Sequence, residues 1–392
     1  MRVWAFGAYE VGPGYPRARA LLAGLRAAGC EVVAMHREPR PDGAARRRAV
    51  RAPWRWPGLA VATLRQRRAL RRLLRAELSA ARPDVLLLPY PAQAVATLAR
   101  EAFDGPIAVD LLLPVHDAAV VDRRWFAADS LAARALRWLD RRVCASADLV
   151  LLDTPQHAAR AAVLTGLPAS RFAWVPVSDP DEGPPQPLRR PRVDERLRLL
   201  FAGTGVPLHG LEVLLEAVAR TPGVELVLVG GSGADRRRAR LLPAGRLRLE
   251  AEFVPRARLG ELLDEAHAVA GVFGASPKTQ WVVPFKVVHG LAAGRPVLTA
   301  DTPAARTFLR PGADSLLVPA ADVPAVQRGL EELMAARARL PAMGAAALAT
   351  YRRSFSLDAT GARLAGLLAG LAGVTPPARL EAPPVAAAEQ MA

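Results

Sequence analysis

Lysine, asparagine, isoleucine and cysteine are nearly missing from this sequence. Of 53 basic residues only Lys278 and Lys286 are lysine, Ile107 is the single isoleucine, and asparagine does not occur. Arginine has replaced lysine almost everywhere, so the formal net charge of +16 partly records composition. The two cysteines, Cys30 and Cys144, lie far apart and belong to no ligand-spaced motif. That excludes a disulfide framework and a cysteine-based metal site, and it fits a reducing compartment. No run approaches the roughly 18 consecutive apolar residues of a membrane span. The opening MRVWAFGAYEVG lacks the apolar core of a signal peptide. A cytoplasmic protein is expected.

What is present suits a folded chain. Hydrophobic residues make up 51% of the 392 and charged residues 23%, enough for a sizeable core and against wholesale disorder. The length fits two domains of roughly 150–200 residues. Short apolar runs at Val3–Phe6, Glu31–Met35, Asp84–Leu88, Ile107–Val109 and Leu149–Leu152 alternate with helical patterns such as Arg17–Ala28. The second half repeats the rhythm: Leu197–Phe201, a helix over 208–220, Glu225–Val229, Glu261–Ala266, Ala268–Val272, a helix near Lys286–Ala293, and Pro296–Thr299. The β-α-β order predicts an α/β fold of two doubly wound, Rossmann-like domains. Their ligands are expected in a cleft at the carboxyl ends of the strands. The expected division is a first domain over 1–177 and a linker over 178–196, where five prolines interrupt the pattern. A second domain over 197–356, a C-terminal helix over 357–373 and a disordered tail over 374–392 complete it.

Three segments carry candidate chemistry. GTGVPLHG (203–210) follows a strand and precedes a helix, and GGSG (230–233) follows the next strand. Glycines there admit a ligand to the backbone, and N–H groups with a helix dipole favour phosphate; a plain tight turn is the simpler reading. The stretch 271–301 holds both lysines. A compact ammonium enters a phosphate pocket that a planar guanidinium does not fit, against chance retention on a solvated loop. His289 stands one helical turn after Lys286, so both are expected to face one pocket. The third segment, VDLLLPVHDAAVVDR (109–123), places His116, Asp117, Asp122 and Arg123 after a strand. A His–Asp pair suits proton transfer or acceptor orientation, against a turn aspartate beside an exposed histidine. DPD (179–181) lies in the proline-rich stretch and is not read as a metal site. His36, His157 and His267 have no ligand spacing.

The order of these motifs resembles the GT-B-fold glycosyltransferases grouped as family 4. The likeness rests on Val272–Gly274, Pro284–Lys286, Ala292–Val297 and GTGVPLHGLEVLLEA (203–217). In the first half it rests on GYPRARALLAGLRAAGCEV (14–32) and on residues 121–154, and it covers about residues 1–370. The resemblance implies a nucleotide-sugar donor on the C-terminal domain, an acceptor on the N-terminal one, and retaining transfer without a metal ion or other cofactor. Donor-side residues are then Gly203, Thr204, His209, Gly210, Gly230, Gly231, Lys278, Lys286 and His289. His116 and Asp117 are the catalytic pair, and Gly12, Gly14, Asp122 and Arg123 belong to the acceptor side. The chain departs from the family in three places. His289 stands where a ribose-holding Glu is usual, Gly271 where a second Glu is common, and Phe285 where related chains carry Asn before the helix Lys.

The positive charge is concentrated. Residues 37–82 hold 14 Arg against Glu38, Asp42 and Glu77, a net of 14 − 3 = +11. This segment contains Trp54 and Trp56 and a helix pattern over Leu59–Ala81. Leu70, Leu73, Leu74 and Leu78 form one stripe, and Arg65, Arg68, Arg72 and Arg75 another face. An anionic membrane surface, a nucleic-acid groove and a solvated face docked on the sheet all suit it. No recognised nucleic-acid module accompanies the charge, so no specific nucleic acid is expected. The function expected is sugar transfer to a lipid-linked or polysaccharide (cell-envelope) acceptor at the cytoplasmic membrane face. A degenerate nucleotide-binding module and a GT-B-fold sugar-nucleotide epimerase are the alternatives.

Overall fold

The computed structural model describes residues 1–9, 11, 16–38, 56–181, 185–188, 191–192 and 195–376. They build two six-stranded sheets. The first uses β1 (Arg2–Gly7), β2 (Glu31–His36), β3 (Val85–Leu88), β4 (Ile107–Asp110), β5 (Leu149–Leu152) and β6 (Phe172–Trp174), in the order β2-β1-β3-β4-β5-β6. The second uses β7 (Leu197–Gly203), β8 (Val224–Gly230), β9 (Leu247–Leu249), β10 (Ala268–Ala270), β11 (Val297–Ala300) and β12 (Ser315–Val318), in the order β12-β11-β10-β7-β8-β9. Their ladders are parallel.

Helices connect the strands. In the first half they are α1 (Pro16–Ala27), α2 (Trp56–Ala80), α3 (Ala96–Ala102), α4 (Leu131–Ala145) and α5 (Pro155–Thr165). In the second they are α6 (Leu211–Arg220), α7 (Gly233–Ala239), α8 (Arg256–Glu265), α9 (Phe285–Ala292), α10 (Pro303–Phe308), α11 (Val323–Ala335), α12 (Leu340–Ser354) and α13 (Leu357–Ala372).

Local chemistry explains these elements. VLLL of β3 and LVLL of β5 are buried along their whole length, as parallel strands with helices on both faces must be. The α5 helix starts where the Thr154 hydroxyl accepts the His157 N–H and Pro155 supplies a preset φ. In α2, Leu70 and Leu74 are fully buried, each worth about 1.5–3 kcal/mol. Arg65, Arg68, Arg72 and Arg75 on the same helix are exposed. The short strands β6, β9 and β12 were not expected, Glu261–Ala266 falls largely within α8, and the helix expected from 208 begins at Leu211.

Two compact units emerge. One holds residues 1–111 and 145–150 and resumes at Ser356; the other holds 112–144 and 151–355. A boundary at residue 177 follows sheet membership, whereas by compactness residues 112–144 and 151–177 group with the second sheet. In the first unit α13 packs on α1. Among the described residues no helix is long and apolar enough to cross a membrane.

Candidate active site

The site grows from two strand ends in one sheet. β7 and β8 run in register to their last residues, with Gly203 opposite Gly230. After β7 the chain makes a tight turn over Pro207–His209 and reaches Gly210 at φ 58° before entering α6. A Cβ on Gly210 would fall 2.4 Å from both Phe273 C and Gly274 N, so only glycine lets these backbones meet. They are tied there: Phe273 N–H donates to His209 O at 3.0 Å and Gly274 N–H to Leu208 O at 3.1 Å. The His209 ring is thereby set edge-on to Phe201, 5.8 Å between centroids.

Lys286 completes this corner. Pro284 precedes α9, which places Lys286 in the first turn of the helix. Its Nζ lies 3.6 Å from the centroid of the Phe201 ring. A Cβ built on Gly203 would stand 2.7 Å from that Nζ and 2.9 Å from His209 Cε1. Gly203 thus leaves a cradle that any side chain would fill. Lys286 is 5% exposed and His209 8%, yet among the described residues neither Lys286 Nζ nor His209 Nδ1 has a hydrogen-bond partner. Burial pushes the Lys286 pKa well below the ordinary ammonium value. Burial, then the charges of Lys286 and Lys278, drive the His209 pKa well down, so its imidazole is neutral. A buried ammonium with no counter-charge is costly unless an anion arrives to meet it.

The two lysines differ in their surroundings. Lys278 sits in the turn Pro277–Gln280, and burial lowers its pKa. Asp122 and Asp153 oppose that shift, so Lys278 stands among carboxylates whereas Lys286 does not.

The segment after β4 is organised by hydrogen bonds. Leu112 (φ 45°) and Arg124 (φ 52°) bracket it in left-handed backbone, and residues Asp117–Asp122 form a π-helical turn. Asp140 from α4 accepts the N–H groups of Val115 at 3.0 Å and His116 at 2.9 Å. Asp117 is fully buried and takes two hydrogen bonds from Arg160, at 2.9 and 3.0 Å. His116 Nδ1 is 3.0 Å from its Oδ1. Burial favours a protonated Asp117, but the hydrogen bonds from Arg160 and His116 hold its carboxyl below the usual range. Asp117 is therefore committed to orienting His116, whose Nε2 is the nitrogen this pairing leaves for chemistry. The Arg160 guanidinium faces the Trp281 ring at 4.8 Å, while Arg123 lies over Trp125 at 5.3 Å.

Two placements differ from expectation. Asp122, assigned to the acceptor side, accepts the Leu208 N–H at 3.1 Å and so braces the turn that carries His209. Its second oxygen, Oδ2, is buried without a hydrogen-bond partner among the described residues. His289 does not share the corner of Lys286. Its Nε2 is 3.5 Å from Asp179 Oδ2, and it lines a cavity of about 220 Å³ with Asp181 and Arg256, in whose wall Lys286 takes no part. One helical turn apart was too coarse a criterion, because the long Lys286 side chain reaches toward β7 and the shorter imidazole does not. Burial lowers the His289 pKa and Asp179 partly offsets that.

At Gly271 a Cβ would fall 2.3 Å from Thr299 Oγ1, so a Glu there has no room. Thr204 is exposed beside Gly203, and Gly231 donates to Gly203 O at 2.7 Å. Asp179 of the DPD triplet is taken up by Arg256. Gly12, Gly14, Trp54 and the side chain of Trp56 lie outside the described residues. Arg160, Asp140 and Phe201 were not singled out from sequence, and Asp179 was noted only as part of the DPD triplet. Arg160 and Asp140 sit on ordinary-looking helices, and Asp179 lies in the proline-rich stretch.

Two parallel, doubly wound sheets of this order define the GT-B class of α/β proteins. Solved structures of that class superpose over nearly the whole chain. A sucrose-phosphate synthase from Thermosynechococcus elongatus matches at 17% identity with a TM-score of 0.67, over 95% of this chain and 99% of that one. Anabaena HepE in complex with UDP-glucose matches at 13% identity and TM-score 0.63, over 94% and 100%. A glycosyltransferase from Rickettsia africae matches at 11% and 0.62, over 94% and 98%. The sequence finds no match among curated proteins. The family described as glycosyl transferases group 1 matches residues 196–336, and the glycosyl transferase 4-like domain matches residues 15–178. The chain belongs to the group 1, family 4-like glycosyltransferases.

Proposed function

We propose that this glycosyltransferase moves a sugar from a nucleotide-sugar donor to a lipid-linked or polysaccharide acceptor, with retention at the anomeric carbon. Membership in the family and HepE structures solved with UDP, UDP-glucose, and UDP with glucose support the donor class. The observation that carries the reading is the buried, unpartnered Nζ of Lys286 beside the cradle at Gly203.

As the donor's glycosidic bond breaks, negative charge grows on the departing diphosphate. A fixed cation, the N-terminus of α6 and the backbone amides of Gly203–Thr204 stabilise that charge without reorganising. His209, neutral, offers a hydrogen bond from its ring. His116, held by Asp117, is assigned to the acceptor hydroxyl through Nε2. Because Lys286 supplies the compensating charge, transfer is expected to survive EDTA. The exposed Arg65, Arg68, Arg72 and Arg75 of α2 are assigned to an anionic membrane surface on the cytoplasmic side.

A panel of UDP-, GDP- and ADP-sugars incubated with the purified protein and a lipid-phosphate acceptor tests the reading. Transfer giving a product of the donor's own anomeric configuration by NMR is expected. Inversion, conversion of the donor without any acceptor, or nucleotide binding without turnover would each overturn it.

A further inference from the structure

The α4 helix carries its amphipathic pattern the wrong way round for a purely internal helix. Its inward positions include Ala133, Asp140, Val143 and Cys144. Leu131 and Trp138, by contrast, are 80% and 58% exposed. Residues 131, 134, 135, 138 and 142 recur at spacings of three and four, so they share one helix face. All five are exposed. The face therefore reads Leu, Arg, Ala, Trp, Arg, and the Arg142 guanidinium lies over the Trp138 ring at 5.2 Å. Arg137 and Arg141 flank it, anchored on the carbonyls of Leu164 and Thr165 at the end of α5. Just before the helix, Arg124 and Trp125 are exposed as well. Over residues 123–145 the one exposed acid is Asp129.

We propose that this face of α4 is a docking surface for an anionic lipid bilayer. Leu131 and Trp138 provide an apolar wedge, and a Trp ring suits the boundary between headgroups and acyl chains. Arg134 and Arg142, beside them, match lipid phosphates in charge and in bidentate geometry. A second copy of the chain fits worse. A two-fold contact would set this arginine-rich face against itself, bringing like charges together. The Arg face of α2 belongs to the other compact unit. It deepens the proposed membrane location but stands on its own residues.

Co-sedimentation with vesicles of phosphatidylcholine and phosphatidylglycerol in equal parts, against phosphatidylcholine alone, tests the surface. Leu131→Ser with Trp138→Ser, and Arg134→Gln with Arg142→Gln, are each expected to weaken binding to the anionic vesicles by about tenfold or more. All four side chains face solvent, so melting curves are expected to match the wild type; the Arg pair serves if the Ser pair melts early. Thermal stabilisation by UDP, measured on the same proteins, reports the donor site separately, so its failure leaves the docking result readable. Wild-type binding by both α4 variants would overturn the proposal, as would equal binding to neutral vesicles. Sedimentation velocity showing a dimer that the Ser pair dissolves would overturn it in favour of self-association.

Discussion

The Lys286 ammonium rests on the face of the Phe201 ring, 3.6 Å from its centroid, and has no hydrogen-bond acceptor among the described residues. The ring quadrupole offsets only part of the lost hydration. Its burial therefore costs the fold stability, and on the proposed function that cost readies a charge for the donor. Lys286→Met keeps the stem and removes the charge. Its melting temperature is expected to rise by a few degrees, because an unfavourable burial disappears. An unchanged or lower melting temperature in differential scanning calorimetry would argue that the ammonium is already satisfied.

Gly203→Ala probes the cradle from the other side. Its methyl would meet Lys286 Nζ at 2.7 Å and His209 at 2.9 Å, both side-chain atoms rather than backbone. The fold is expected to survive while those groups are displaced. UDP affinity is expected to drop by about tenfold, the order of a modest overpacking penalty. Wild-type affinity in the Ala variant would place the nucleotide elsewhere.

Asp122 braces the His209 turn through the Leu208 N–H. Asp122→Asn retains an oxygen in that place, whereas Asp122→Ala leaves a buried donor unmet at about 1–3 kcal/mol. The Ala variant is expected to lose UDP affinity and melt earlier, and the Asn variant to recover most of both. Equal loss in the two would mean that the charge of Asp122, and not its hydrogen bond, is what matters.

Asp140 gives the protein a pH signature. Burial pushes its pKa up from 3.8 to about 7, with the nearby Asp117 adding to the shift against two backbone hydrogen bonds. An acid that holds its proton more tightly when folded favours the folded state at low pH. That contribution is lost as the pH rises from about 4 to about 7. Asp140→Asn removes the titration. The melting temperature of the wild type minus that of the variant is expected to fall across that window. A difference that stays flat would contradict the assignment.

Much of the fold was legible because parallel strands buried on both faces read as short apolar runs. LVLL at 149–152 and VLLL at 85–88 are examples. Strands of three residues such as LRL (247–249) carry too little pattern to stand out. At the site, the scarcity of lysine drew attention to Lys286 and Lys278, and the glycines marked the strand ends. Geometry across sequence was not legible. Nothing local shows that Arg160 reaches Asp117, that Asp122 meets Leu208, or that His289 turns toward Asp179 and away from Lys286. Those pairings are set by tertiary packing and leave no periodic trace.

The central claim is that Lys286 is the cation that meets the donor's diphosphate. Isothermal titration with UDP measures it directly on the wild type, Lys286→Met and Lys278→Ala. Removing a buried charged partner predicts a loss of about a hundredfold for Lys286→Met, with a much smaller loss for Lys278→Ala. UDP binding of wild-type strength by Lys286→Met would contradict the account.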